Sequence, residues 1–172
     1  SYVCLSHCWG GVSSTTLKRE TVETFSKSIA IPSLPPTFLD AVAITKRLGY
    51  YYLWIDSLCI IQDPQDDWAS QIPLMGEIYR HSAFKIAASK AKDSNGGCFT
   101  SRNSLAYSYC RLADLDAADD WFIGGQMGDI AFGPSSNDLK RLPLFTRGWV
   151  VQERTMSPRT LYFGSVMVHW EC

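Results

Sequence analysis

The sequence predicts an α/β fold, a mainly parallel sheet flanked by helices with an irregular insertion in the middle. Two observations carry this reading. Short apolar segments at residues 2 to 9, 50 to 61 and 83 to 89 alternate with helical patterns. The second of them, YYYLWIDSLCII, is apolar on both alternating faces, as in a strand covered on both sides.

The elements follow in order. Residues 2 to 9, YVCLSHCW, read as a strand ending at Gly10-Gly11. Residues 12 to 34 are polar and weakly patterned, a connection with at most short helical turns. Pro35 and Pro36 then open a helix whose one face carries Phe38, Ala41, Val42, Thr45 and Leu48, with Gly49 as its stop. After the strand at 50 to 61, Asp63-Pro64 marks a turn, and a second helix spans roughly 68 to 80 with Trp68, Ile72, Met75 and Tyr79 on one stripe. Pro73 is expected to break or kink its first part. The middle, 90 to 145, holds Asn95-Gly96-Gly97, an acidic loop Asp114 to Asp120 and a candidate strand at Trp121-Phe122-Ile123. Thr146 is placed to cap a helix of about 147 to 156, and residues 160 to 170 form a final strand or hairpin.

Composition narrows the function classes. The chain has 172 residues, 16 basic and 17 acidic, with no Lys/Arg cluster, so the electrostatic footprint of a nucleic-acid partner is missing. No apolar run reaches the roughly 18 residues that a membrane span needs. The six cysteines form no CxxC pair and read as reduced, mostly buried thiols of a cytoplasmic protein. A zinc site from Cys4, His7 and Cys8 fails because alternate residues of an extended segment point to opposite faces.

The same alternation governs LSHCWGG at 5 to 11. Ser6 and Cys8 share one face while His7 points to the other, so adjacent residues do not form a nucleophile and its base. Two readings remain: Ser6, His7 and Trp9 rim a ligand crevice at the carboxyl end of a parallel strand, where Gly10 lets a ligand approach the backbone, or His7 is a satisfied core histidine. Asp56, inside an apolar strand, needs hydrogen bonds or water, and either fixes the crevice or acts in catalysis. At 147 to 154, helical spacing puts Trp149 and Glu153 on one face and Arg147, Val151 and Arg154 on another. A carboxylate beside an indole suits a sugar or nucleotide, whereas the commoner fate of such a glutamate is a solvated helix surface. Glu77 and His81, also four apart, belong to that ordinary surface class.

Four ordered blocks, YVCLSHCWGG at 2 to 11, YLWIDSLCIIQD at 52 to 63, EIYRHSAFKIAAS at 77 to 89 and RGWVVQERTMSPRTLYF at 147 to 163, resemble those of the fungal heterokaryon-incompatibility (HET) domain. The resemblance implies a single HET domain over 1 to 172, excised from a longer multidomain protein, that induces programmed cell death in self/non-self recognition. It also implies a flavodoxin-like relation to TIR domains, several of which cleave NAD with one glutamate. On that relation Glu153 is the catalytic candidate. Ser6, His7, Trp9, Gly10, Asp56, Ser57, Arg147, Trp149 and Arg154 are the ligand-binding candidates, and NAD or a related nucleotide is substrate rather than bound cofactor. The competing class is a non-enzymatic module acting through self-association or a signalling partner. A hydrolase pairing Ser6 or Cys8 with His169 ranks last, for want of a GxSxG pattern.

Overall fold

Val3–Ser6 form β1, and all four residues are buried. In the computed structural model, which describes residues 1–10, 15–63, 65–101, 110–111, 122–123, 142–165 and 168–172, β1 lies inside the sheet. It pairs in parallel with β2 (Leu53–Ile55) on one side and with β3 (Phe84–Ala87) on the other. Two-residue strands β4 (Cys110–Arg111) and β5 (Phe122–Ile123) pair with each other in a separate ladder. β6 (Thr160–Phe163) continues the main sheet in parallel beside β3, and β7 (Val168–Glu171) closes it as an antiparallel hairpin partner of β6. The main sheet therefore runs β2-β1-β3-β6-β7, mostly parallel and flanked by helices, which is the α/β fold expected.

Between β1 and β2 come α1 (Val22–Lys27), flanked by single 3-10 turns, and α2 (Pro36–Arg47). α2 ends as its sequence dictates. Gly49 sits at φ +82°, its N–H donates to Lys46 O at 3.1 Å, and Tyr50 N–H donates to Thr45 O at 3.0 Å, which satisfies two terminal carbonyls. Its inner face carries Thr37, Phe38, Ala41, Ile44 and Thr45. Val42 is only half-buried and Leu48 is 51% exposed, so the apolar stripe turns toward Ile44 instead. Phe38, Ala41 and Ile44 pack with Val3, Leu5, Ile86 and Phe163 into the main core on one face of the sheet.

β2 is shorter than its sequence suggests. The apolar run at 50 to 61 contributes only three residues to the sheet, and Asp56–Cys59 form a helical turn, α3. Nor is the strand covered on both sides, because it is an edge strand with Leu53 and Trp54 only half-buried. Continuous hydrophobicity does not distinguish a strand from a strand followed by a helical turn. α4 spans Gln65–Arg80 with Pro73 inside it. The helix is not broken there and continues without the bond that the missing N–H would have made. The side chain of Trp68 and the acidic stretch 114 to 120 lie outside the described residues.

α5 is Val150–Met156. Its N-cap is Trp149, without a side-chain cap. Thr146, expected to cap it, belongs instead to the preceding 3-10 turn, where its hydroxyl donates to Pro143 O at 2.7 Å. α5 and α4 cover the sheet face opposite α2. Val150 packs with Cys8, Ala87 and Tyr162, and Cys4 points at Ile78 O of α4. The two faces differ in chemistry. Against α2 the sheet presents Val3, Leu5, Phe84, Ile86 and Phe163; the alternate positions hold Cys4, Ser6, Lys85, Thr160 and Tyr162.

Candidate functional site

The strand order reverses direction at β1, since β2 lies to one side and β3 to the other. In open parallel sheets the crevice beyond the carboxyl ends at such a point is where ligands bind. Ser6, at the carboxyl end of β1, is 1% exposed, and its hydroxyl donates to Glu153 Oε2 of α5. Glu153 is itself 2% exposed. Burial raises its carboxyl above the usual range, while the Ser6 hydroxyl, Arg147 and Lys85 oppose the rise.

β1 ends at Ser6, so His7, Cys8 and Trp9 leave the sheet rather than continue its alternation. His7 nevertheless diverges from Ser6, as expected. It is buried against the α2 side with its ring edge-on to Phe38, centroids 4.9 Å apart. Neither ring nitrogen has a hydrogen-bond partner among the described residues. Its Nδ1 lies 3.9 Å from Asp56 Oδ1, beyond hydrogen-bond reach. Burial, and then the Arg147 charge, push its pKa down to about 3, so the imidazole is neutral. His7 is thus a core histidine with unused polar atoms rather than a satisfied one.

Asp56 is not inside a strand. It opens α3 at the carboxyl end of β2, where Oδ1 accepts Ser57 N–H at 2.8 Å and Oδ2 accepts Trp9 Nε1–H at 2.9 Å. Burial raises its carboxyl, and the bond from Trp9 is the largest effect opposing the rise. Ser57 is buried, and its carbonyl receives Leu17 N–H at 2.7 Å, tying the polar connection to the site. Asp56 therefore fixes the crevice by fixing an indole. Replacing Trp9 with phenylalanine leaves Oδ2 unpaired in a buried place, for an expected loss of about 1–3 kcal/mol in urea unfolding; an unchanged midpoint would dismiss the bond.

Trp9, Asp56, Arg147 and Trp149, with Ile72 and Met75 of α4, line a cleft of about 120 Å³. Trp149 is 43% exposed there, whereas Glu153 turns inward behind Ser6. Glu153 N–H donates to Trp149 O at 3.1 Å, as helical spacing predicts, but the two side chains part, and the carboxylate that shares the cleft with the indoles is Asp56. Arg147 and Arg154 also part company. Arg147 donates through Nη1 to His7 O, while Arg154 donates to Glu171 Oε1 at 2.7 Å, away from the cleft. Val151, grouped with them by spacing, is 70% exposed. Gly10, at φ +70°, brings its backbone against Asp93, not against open crevice.

Glu77, Arg80 and His81 form an exposed surface cluster, as spacing suggested. Cys4, Cys8, Cys59, Cys98 and Cys172 are free thiols, with Cys59 and Cys172 exposed. Sequence reasoning passed over Lys85, which the structure buries to 1% on β3. The only signal was a lysine between Phe84 and Ile86. His169 pairs in register with Tyr162 on β7, three strands from β1. Adjacent strands lie about 4.8 Å apart, which leaves roughly 14 Å to the row of Ser6. A Ser6–His169 pairing is therefore not made.

The model of the family described as heterokaryon incompatibility protein (HET) matches residues 2–153. The chain belongs to the HET family. The matched span contains three of the four blocks that carried the resemblance and ends at Glu153, within the fourth. Comparison of the HET chain with curated proteins and with solved structures returns no significant match. Among the described residues of this HET chain, no helix is long and apolar enough to cross a membrane.

Proposed function

We propose that this HET domain induces cell death in heterokaryon incompatibility by cleaving NAD, or a closely related nucleotide, at the crevice beyond β1 and β3. The observation that supports this most is the buried Glu153 carboxyl, held by the Ser6 hydroxyl at the carboxyl end of a parallel sheet. A cleft walled by two indoles and an arginine lies beside it. The parallel part of the main sheet, β2-β1-β3-β6, has its order reversal at β1, which supports a crevice there, while β7 adds an antiparallel edge.

The chemistry needs one carboxylate. Nicotinamide departs from NAD as a neutral base, so no general acid has to protonate it, unlike the leaving group of an ordinary glycoside. The bond between ribose C1′ and the pyridine nitrogen breaks with its electron pair going to that nitrogen. Water then adds to C1′ and releases its proton. Glu153 binds the ribose hydroxyls by exchanging its bond from Ser6, and its charge stabilises the oxocarbenium-like centre in a site of low dielectric. Trp9 or Trp149 stacks on a ring, and Arg147 faces the phosphates. His7, Asp56 and Ser57 hold the walls, and no resident cofactor is required.

The test is nicotinamide release from NAD by the purified chain at low and high protein concentration. Glu153→Gln keeps the shape and the bond to Ser6 while removing the charge, so release is expected to fall by about 100-fold or more. Equal turnover by the folded variant would remove Glu153 from the mechanism.

A second reading, death by assembly without catalysis, is favoured by a separate observation at the opposite end of the sheet. Just ahead of edge strand β2, Tyr51 (92%) and Tyr52 (70%) are exposed beside an open apolar groove of about 360 Å³ that includes Trp54 and Ile78. On that reading, killing follows substitutions at Tyr51 and Tyr52 and ignores Glu153→Gln.

A further inference from the structure

The proposed role of Glu153 requires that it be ionised, and three groups favour that state: the Ser6 hydroxyl, Arg147 and Lys85. Arg147 lines the cleft, and Ser6 stands at the carboxyl end of β1, where the strand gives way to the crevice. A substrate that takes over the bond from Ser6 and engages Arg147 through its phosphates draws both away from the carboxylate. Lys85 is differently placed. It stands on β3 with β1 and β6 on either side, in register with Cys4 and Thr160. It therefore shares the sheet face of Ser6, whose own register partner, Ala87, is two residues further along β3. Diagonal neighbours of this kind are about 7–8 Å apart, within reach of a lysine stem.

Among the described residues, Lys85 is the only buried lysine or arginine. It makes no ion pair with a described residue. A lysine so placed costs several kcal/mol unless its charge answers another. The carboxylates toward it are Glu171 and Glu153. Glu171 is already occupied by two bonds from Arg154 and by the Tyr162 hydroxyl, whereas among the described residues the Glu153 carboxylate accepts from Ser6 alone.

We propose that Lys85 is a positioning residue, the sealed counter-charge that keeps Glu153 a carboxylate once substrate has occupied Ser6 and Arg147. The inference rests on the reading of Glu153 given above. Burial pushes the Lys85 ammonium down to about 8, and Glu153 is the largest influence holding it up. The other titratable or charged groups around the pair are Cys4 and Cys8 near β1, Asp56 of α3, Tyr79 of α4, Arg154 of α5 and Glu171 of β7. Cys4, Cys8 and Tyr79 have raised pKa values and are neutral at pH 7.

The test reads the charge directly. With glutamate carboxyls labelled with ¹³C, and the Glu153 signal assigned by its loss in Glu153→Gln, Lys85→Met is expected to raise the Glu153 midpoint by about one pH unit or more. Linkage is reciprocal, so Glu153→Gln lowers the Lys85 midpoint, read from ¹³C-labelled lysine, by a similar amount. This second measurement decides the matter if Lys85→Met does not fold. Midpoints that stay in place overturn the pairing. If NAD cleavage is real, the acid limb of nicotinamide release moves up together with the Glu153 midpoint in Lys85→Met. Coupled midpoints with no release from any protein would uphold the pairing and reject the glycohydrolase reading.

Discussion

Acidification from pH 6.5 to about 3 is expected to remove on the order of 5 kcal/mol of folding stability through His7 alone. The unfolded chain takes up the imidazole proton below pH 6.5, while the folded chain refuses it until about pH 3. The stability is therefore complete above the unfolded value and lost as pH falls through this window. The physical cause is the burial of a ring that has no acceptor for its extra proton among the described residues, pressed edge-on to Phe38 and overlooked by Arg147. Asp56 and Glu153, whose carboxyls are raised, shift stability in the opposite sense over part of the range. The clean measurement is consequently a difference: urea unfolding of wild type and His7→Phe at pH 7 and at pH 3.5. Phenylalanine keeps the aromatic contact and titrates nothing. The two proteins are expected to be similar at pH 7 and to diverge in favour of the variant at pH 3.5. Parallel profiles would mean that His7 accepts its proton without cost.

Gly10→Ala is expected to cost about 2–5 kcal/mol, adding left-handed strain to forced overpacking. A Cβ there would lie 2.3 Å from Asp93 Cβ and 3.1 Å from Asp93 Cα. Neither atom belongs to the free end of a side chain, so relief requires the backbone beyond β3 to move. Gly49 supplies the control. It also has a positive φ, +82°, but a Cβ there meets nothing within 4 Å, so Gly49→Ala carries the strain alone, about 1 kcal/mol. Equal losses at the two positions would show that the contact with Asp93 yields freely. A larger loss at Gly10 also displaces Trp9, and the exposed Trp149 offers a fluorescence reference for that cleft.

The parts of the fold that could be read from sequence were those carried by local patterns. α2 has proline at its entry, an apolar stripe and a glycine exit, and it appears within two residues of the reading. The segment at 160 to 170 read as a strand or a hairpin, and the structure makes it the hairpin of β6 and β7. Asp56 was misplaced because an apolar run hides the point where a strand gives way to a helical turn, and a buried aspartate looks the same in both. Trp149 and Glu153 are four apart and joined by the bond from Glu153 N–H to Trp149 O, yet the indole is exposed at the cleft while the carboxyl turns inward to Ser6, a difference that spacing alone does not encode. The bonds that make the crevice join residues far apart in the chain, 47 positions for Trp9 and Asp56 and 147 for Ser6 and Glu153. No local pattern encodes such pairs. Lys85 escaped notice for a related reason: only the sheet order turns a lysine on a strand into an interior charge.

The central position of β1 has a consequence for biosynthesis. This strand leaves the ribosome before either of its neighbours, yet one edge waits for residues 53–55 and the other for residues 84–87. Its α5 cover is complete only at residue 156. Until residues 84–87 have emerged, the nascent chain thus displays an apolar strand with at least one unpaired edge, the kind of segment that recruits other strands. Contacts so distant in sequence also make for slow closure. Yield in the cell is therefore expected to respond to chaperone supply and elongation rate as well as to the stability of the finished sheet.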